Sequence, residues 1–440
     1  MTAENWNRKT WSLAGPVILS NISVPLLGAV DTAVVGHLPG PQFLGGVAVG
    51  ALIFSVIYHG CNFLRMGTTG LTAQSLGARD PDEVRAWMAR AGFLALLIGA
   101  FLILIQSPVL WASLAVVNPG PEVRPLTDAY FSIRIWGAPM ALLNFALLGW
   151  FFGIQNTRAA LATQIFMNGV NIVLDLWFVI GLGWGVEGVA WATLISEVSA
   201  VGLGLWLVRT NLKRMGGHWR LERAFDSKRL TRMFRVNGDI LIRSLCLQAA
   251  FVIVAAIGAR MGDVVLAANA ILLNFQMFTS YALDGFANAA EALTGEAVGA
   301  KNRRRFRQAV KATSLWALVF SACFTLVYLA LGAVFVDILT SVPEVRAVTR
   351  QYLLWVQLLP LISVWSYQLD GIFIGSTWTA EMRNGMAASL AVFAVALVPL
   401  VPAYGNHGLW FAFVLFMSMR GLTLAAFYPR LEKTVGGAAE

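Results

Sequence analysis

GPVILSNISVPLLGAVDTAVVGH, residues 15–37, decides how the rest of the chain is read. The stretch is almost wholly apolar. It is long enough to cross a hydrocarbon core of about 30 Å at about 1.5 Å per helical residue. One acid, Asp31, interrupts it. An ionisable group at membrane depth is costly, and its default reading is part of an ion or substrate pathway. Gly15, Pro16, Pro25 and Gly28 weaken the helical hydrogen-bond ladder, and Pro25 with Gly28 forms a candidate hinge. An acid on a bendable span is the first sign of a transporter.

Composition widens that reading to the whole chain. Of its 440 residues 58% are hydrophobic and 12% charged, with a mean hydropathy of +0.69. Soluble domains carry about 25% charged residues, so this is a polytopic protein of the lipid bilayer. The formal net charge of +9 resides in loops between apolar runs rather than on one polar surface, so no nucleic-acid partner is expected. Cys61, Cys246 and Cys323 lie inside apolar segments and imply neither a disulfide framework nor a metal site. The start, MTAENWNRKTW, leads into the first span without an A-x-A cleavage site, so no removable leader is expected.

Runs of about 20 apolar residues give twelve candidate spans. The first six are roughly 11–36, 43–66, 88–116, 127–152, 158–181 and 185–208. The second six are roughly 237–260, 264–290, 310–337, 350–375, 384–403 and 406–428. Lys and Arg mark cytoplasmic loops. Arg8, Lys9, Arg79, Arg85, Arg90, Arg158, Arg383, Arg430, Lys433 and the basic clusters at 209–236 and 301–311 share one side. Arg124, Arg260, Arg346 and Arg350 are on the other. Both termini are therefore expected on the cytoplasmic side.

The chain also repeats itself. LTAQSLGARDPDEVRAWMARA at 71–91 aligns with LTGEAVGAKNRRRFRQAVKA at 293–312 at a shift of 222 residues. GVEGVAWA at 185–192 resembles YGNHGLWFA at 404–412, at a shift near 220. Six spans per half insert both halves the same way up, so the expected architecture is all-α, with a pseudo-twofold axis along the membrane normal and a cavity between the halves. The expected lobes are 1–215 and 216–440, joined by the basic linker 209–236.

Depth sorts the polar residues into two groups. Asp31 lies five residues before Gly36 and Asp175 six before Gly181, so both acids fall in the outer half of the bilayer. Gln164, Asn168, Asn171 and Asp175, at spacings 4, 3 and 4, form one polar stripe on the fifth span. Thr193 on the sixth span reaches matching depth. Two carboxylates in one desolvated site do not readily both ionise, so such a pair is suited to loading and releasing a proton. The competing reading is an acid hydrogen-bonded to Asn and Thr only to hold helices together.

The second half differs. Asp239 and Arg243 stand at i, i+4 on the seventh span. Tyr281, Asp284, Asn288 and Glu291 form a single-face stripe on the eighth, and Tyr367 and Asp370 arrive from the tenth. One arginine among several carboxylates suggests a partly neutralised network, for substrate binding or for gating, or a structural ion pair that closes the cytoplasmic side. Asp31 and Asp175 have apolar counterparts in the second half, so the halves share a shell and divide the labour. No P-loop, nucleophile–base pair or metal-spaced cluster is found, so neither an enzyme nor a resident cofactor is expected.

These segments resemble a known family. PLLGAVDTAVVGHL at 25–38, GIQNTRAAL at 153–161, NIVLDLWFVIGLGWGVEGVAWAT at 171–193, IGARMGD at 257–263, YALDGFANAAEALTGEAVGA at 281–300 and LDGIFIGST at 369–377 are similar to multidrug and toxic compound extrusion transporters of the DinF branch. The resemblance implies a V-shaped pair of six-helix lobes that exports amphipathic, often cationic, compounds against an inward flow of protons or sodium. It implies protonation at Asp31, a match of Asn171, Asp175 and Thr193 to the family's first-lobe polar site, and a match of Asp370 to its tenth-helix acid. Some members hold sodium with a glutamate near the middle of the seventh helix. Here that region reads RSLCLQAA, residues 243–250, with no acid, which favours protons over sodium. Some relatives export organic acids such as citrate, which stays an alternative, as does a lipid-linked oligosaccharide flippase. A monomer acting on a small amphipathic substrate is expected.

Overall fold

A computed structural model describes residues 5–38 and 40–436, almost all of them helical. In chain order α1 is Trp6–Gly36, and α2 is Pro41–Gly77 with a break at Asn62. Next, α3 is Pro81–Leu104, α4 is Val123–Gly153, α5 is Thr157–Gly181 and α6 is Gly185–Met215. The second set comprises α7, Ser227–Arg260; α8, Asp263–Gly299; α9, Arg303–Leu339; and α10, Pro343–Gly375. The last helical stretch, Thr379–Thr434, turns back at Gly405 (φ 54°, ψ −130°) and so forms α11, 379–404, and α12, 406–434. A Cβ on Gly408 would lie 2.0 Å from the Leu400 carbonyl oxygen. A straight helix would separate those residues by about 12 Å, so the stretch is two spans and the described residues form twelve. Several helices outrun their apolar windows: α7 begins at Ser227 and α8 runs to Gly299. Polar end turns continue the ladder beyond the hydrocarbon.

The contacts divide the chain into two units, Leu19–Phe234 and Met1–Ile18 with Arg235–Glu440. The division at 234–235 lies at the far end of the basic linker rather than at 215–216, and the start of α1 sides with the second unit. Its residues explain this. Trp11 packs edge-on against Phe286, Trp316 and Phe320, Lys9 pairs with Glu296 at 2.9 Å, and Gly285 lets the Ala14 carbonyl approach α8.

Within the units the internal repeat holds to the level of single contacts. In the first, Gly149 and Gly153 of α4 lie against the backbone of Arg65 and Thr69 in α2; in the second, Gly371 and Gly375 of α10 lie against Ala287 and Glu291 of α8. A Cβ would stand 2.3, 2.8, 2.3 and 2.2 Å from those carbonyl oxygens. Each partner is displaced by the same 222 residues. Arg79 and Lys301 both adopt positive φ, and Asp80 and Asn302 then cap the following helix by accepting from the amides of Glu83 and Arg305. The helix-to-helix turns at Gly185 and Gly405 are likewise both left-handed.

Candidate functional site

The stripe on α5 faces α1 and α6, as its spacing implied. Asp175 is fully buried, and its carboxyl stands beside that of Asp31 on α1, close enough for the two to interact directly. Two carboxyls side by side in a buried site are suited to sharing one proton. Asn171 completes the arrangement one turn earlier. With its amide oriented by its neighbours, Asn171 donates to Asp175 Oδ2 at 3.0 Å and accepts from the Thr193 amide of α6 at 3.3 Å. Below it, Asn168 donates to Ser23 Oγ of α1 at 2.9 Å, and Gln164 donates to Asn168 Oδ1 at 3.1 Å. The four predicted residues of the ion site are therefore together, and Asn168 and Gln164 extend the polar seam along α1. Immediately after Asp175 the helix widens into a π-turn, Leu176–Gly181, in which the Leu182 amide reaches back to the Trp177 carbonyl. Such turns concentrate at functional sites.

Two residues that the sequence did not single out as site members lie in the same unit. Arg134 of α4 pairs with Glu197 of α6 at 3.1 Å, and both are largely buried. The guanidinium sits over the rings of Phe54 and Tyr58, at 4.9 and 5.7 Å from their centroids. Asn144 donates to the Glu197 carbonyl at 3.1 Å. The positive charge of Arg134 acts on Asp31, and buried Tyr130 lies within the electrostatic reach of Asp31, Asp175, Arg134 and Glu197. Arg134 Nε and Glu197 Oε2 have no hydrogen-bond partner among the described residues. An incompletely satisfied buried pair is weak evidence for stability, and here it sets the field beside the acids.

The second unit is arranged differently. Asp370 of α10 accepts from Arg243 of α7 and, at 2.8 Å, from Arg420 of α12. One carboxylate thus accepts from two buried guanidiniums. This corrects the expectation of one arginine among several acids, since Arg420 joins Arg243 on the same Oδ2. It also corrects the i, i+4 pairing on α7. Asp239 accepts instead from Thr379 Oγ1 at 2.9 Å and from Arg383 at 2.6 Å, which clips α7 to the start of α11. The physical reason is reach, because a long arginine side chain crosses to another helix as readily as it folds along its own. Arg420 lies over the Tyr367 ring at 5.7 Å, and the Tyr367 hydroxyl accepts from Gln276 at 2.9 Å. On α8, Tyr281 and Asp284 are half-buried and electrostatically coupled, while Asn288 and Glu291 are buried, with Asn288 donating to the Asp284 carbonyl at 2.7 Å. Asp284 also acts on Tyr367, so the predicted members from α8 and α10 share one neighbourhood. At the candidate hinge α1 is unbroken, Pro25 is exposed, and a Cβ on Gly28 would meet nothing within 4 Å.

Twelve spans in two six-helix units, each with its own buried ionic centre, define a polytopic membrane transporter. The MatE family model matches residues 16–177 and again 240–402, which is the internal repeat seen from outside. The chain is 42% identical to DNA damage-inducible protein F of Escherichia coli strain K12, over 96% of this chain and 92% of that protein. It is 23% identical to a probable multidrug resistance protein NorM of Chromobacterium violaceum, over 97% of this chain and 94% of that protein. Among solved structures, a MATE transporter in the bent conformation superposes with a TM-score of 0.89 at 19% identity, covering 98% of this chain and 96% of that one. A MOP superfamily transporter from Pyrococcus furiosus gives 0.87 at 19% identity, with 98% and 96% covered. The chain belongs to the MatE family, the multidrug and toxic compound extrusion transporters, in the DinF branch. Its members are transporters and not enzymes.

Proposed function

We propose that this transporter exports small amphipathic compounds, organic cations foremost, in exchange for inward protons. The observation that carries the reading is the placement of Asp31 beside buried Asp175, with Asn171 and Thr193, inside one unit. A proton arriving from outside neutralises the pair. With its charge gone, the pair no longer holds a cationic substrate, and α1 is free to bend at Pro25 and Gly28, where the ladder lacks one donor. Substrate leaves outward. On the return stroke the Arg243, Asp284 and Asp370 neighbourhood resets from inside. Substrate cation and proton compete for the same carboxylates, the simplest form of antiport. The absence of an acid between Arg243 and Ala250 supports protons over sodium. The asymmetry of basic loops supports an inner-membrane chain with both termini cytoplasmic, working as a monomer.

A second reading has its own observation. The Arg243–Asp370–Arg420 centre gathers two buried guanidiniums, donors of the kind an organic acid such as citrate would seek. The deciding experiment is transport by inside-out vesicles of a cationic dye and of citrate, under an imposed pH gradient and then a sodium gradient. Dye accumulation driven by the pH gradient alone is expected. Accumulation driven only by sodium would overturn the coupling, and transport of citrate without dye would transfer the function to the second reading.

A further inference from the structure

We propose that the face between α3 and α6 holds one anionic phospholipid, headgroup at Arg209 and Lys213 and acyl chain along an apolar groove. The groove has a volume of about 710 Å³ and shares no lining residue with the acid pair. Its walls are Met88, Phe93 and Leu96 of α3 and Leu205 and Val208 of α6, with Gly92 leaving room between them. Phe93, Leu96 and Leu205 are exposed large hydrophobics on membrane spans, so the groove is filled by lipid rather than water.

Its polar end is built. Arg209 and Lys213, one helical turn apart and both exposed, have no hydrogen-bond or ion-pair partner among the described residues. Arg85 fixes the neighbouring chain instead. It donates to the carbonyls of Leu212 at 2.6 Å and Gly216 at 3.0 Å, and its guanidinium lies 5.7 Å from the Trp219 ring. Asp82 accepts from the His218 amide at 2.7 Å. These contacts hold Trp219 at the mouth of the groove, where an indole suits the boundary between headgroup and hydrocarbon. Two uncommitted cations, an interfacial tryptophan and an apolar slot together match a phosphate-bearing headgroup with its chain attached, because basic pockets between spans recruit anionic lipids. A zwitterionic headgroup brings its own cation towards Arg209 and Lys213 and gains less.

Native mass spectrometry of the purified full chain with phosphatidylglycerol or phosphatidylcholine tests this. Wild type is expected to retain phosphatidylglycerol preferentially. Each basic residue near an anionic headgroup is worth about fivefold in affinity. The double variant Arg209→Gln, Lys213→Gln is therefore expected to lose about thirtyfold for phosphatidylglycerol, with phosphatidylcholine and the gel-filtration profile unchanged. Gly92→Leu fills the slot while keeping both cations, and is expected to weaken retention as well. Equal retention of the two lipids, or no loss in either variant, overturns the proposal. Displacement of the lipid by millimolar inorganic phosphate would assign the cations to a free anion and overturn it too.

Discussion

Asp175 of the first unit corresponds to Leu397 of the second at the 222-residue shift, and Leu148 of the first corresponds to Asp370 of the second. Around these positions the glycine contacts coincide: Gly149 lies on Arg65 as Gly371 lies on Ala287. The shell is set by close backbone approach, which tolerates little change, and the chemistry by a few side chains free to diverge. One unit has set two acids side by side, whereas the other has gathered two arginines around one acid. A duplicated scaffold with different ionic arrangements at its two centres is suited to two different tasks, of which proton loading falls to the first.

The largest effect is expected where that comparison is broken directly. Asp31→Asn or Asp175→Asn should reduce pH-driven dye transport in vesicles to background, while Asp370→Asn should retain a response to pH. Stability should behave the other way round. Asp370→Ala leaves two buried guanidiniums without a counter-charge, a loss of about 3–5 kcal/mol in a thermal or denaturant unfolding assay. Asp31→Asn removes one of two acids crowded into one buried site and should leave stability unchanged or raised.

Much of the first unit's site was legible beforehand because it is local. Asn168, Asn171 and Asp175 announce their common face by spacing, and depth from the helix ends placed Asp31 beside them. Arg134 and Glu197 were not, since they are 63 residues apart on spans whose facing directions no single segment reveals. Arg420 was missed for the same reason, reaching Asp370 across 50 residues. The pairing of Asp239 with Arg243 misled because i, i+4 spacing states what can touch, not what a long side chain prefers. The twelve spans followed from apolar runs alone, whereas the π-turn after Asp175 left no compositional trace.

A medium effect sharpens the role of the missed pair. Glu197→Gln leaves the charge of Arg134 undivided beside Asp31, which favours the ionised carboxyl. The pH giving half-maximal transport should move downward, read from vesicle rates across a pH series. The smallest effects test the shell. Gly153→Ala and Gly375→Ala should each cost about 1–3 kcal/mol, because the added methyl meets a carbonyl oxygen in both units. Gly28→Ala meets nothing and should leave unfolding unaltered while slowing transport.

Proton counting on the purified protein addresses the central claim most directly. On addition of a cationic substrate in weak buffer, wild type should release protons to the medium, and Asp31→Asn with Asp175→Asn should release none. Equal release by wild type and double variant would show that cargo and protons do not meet at those two acids.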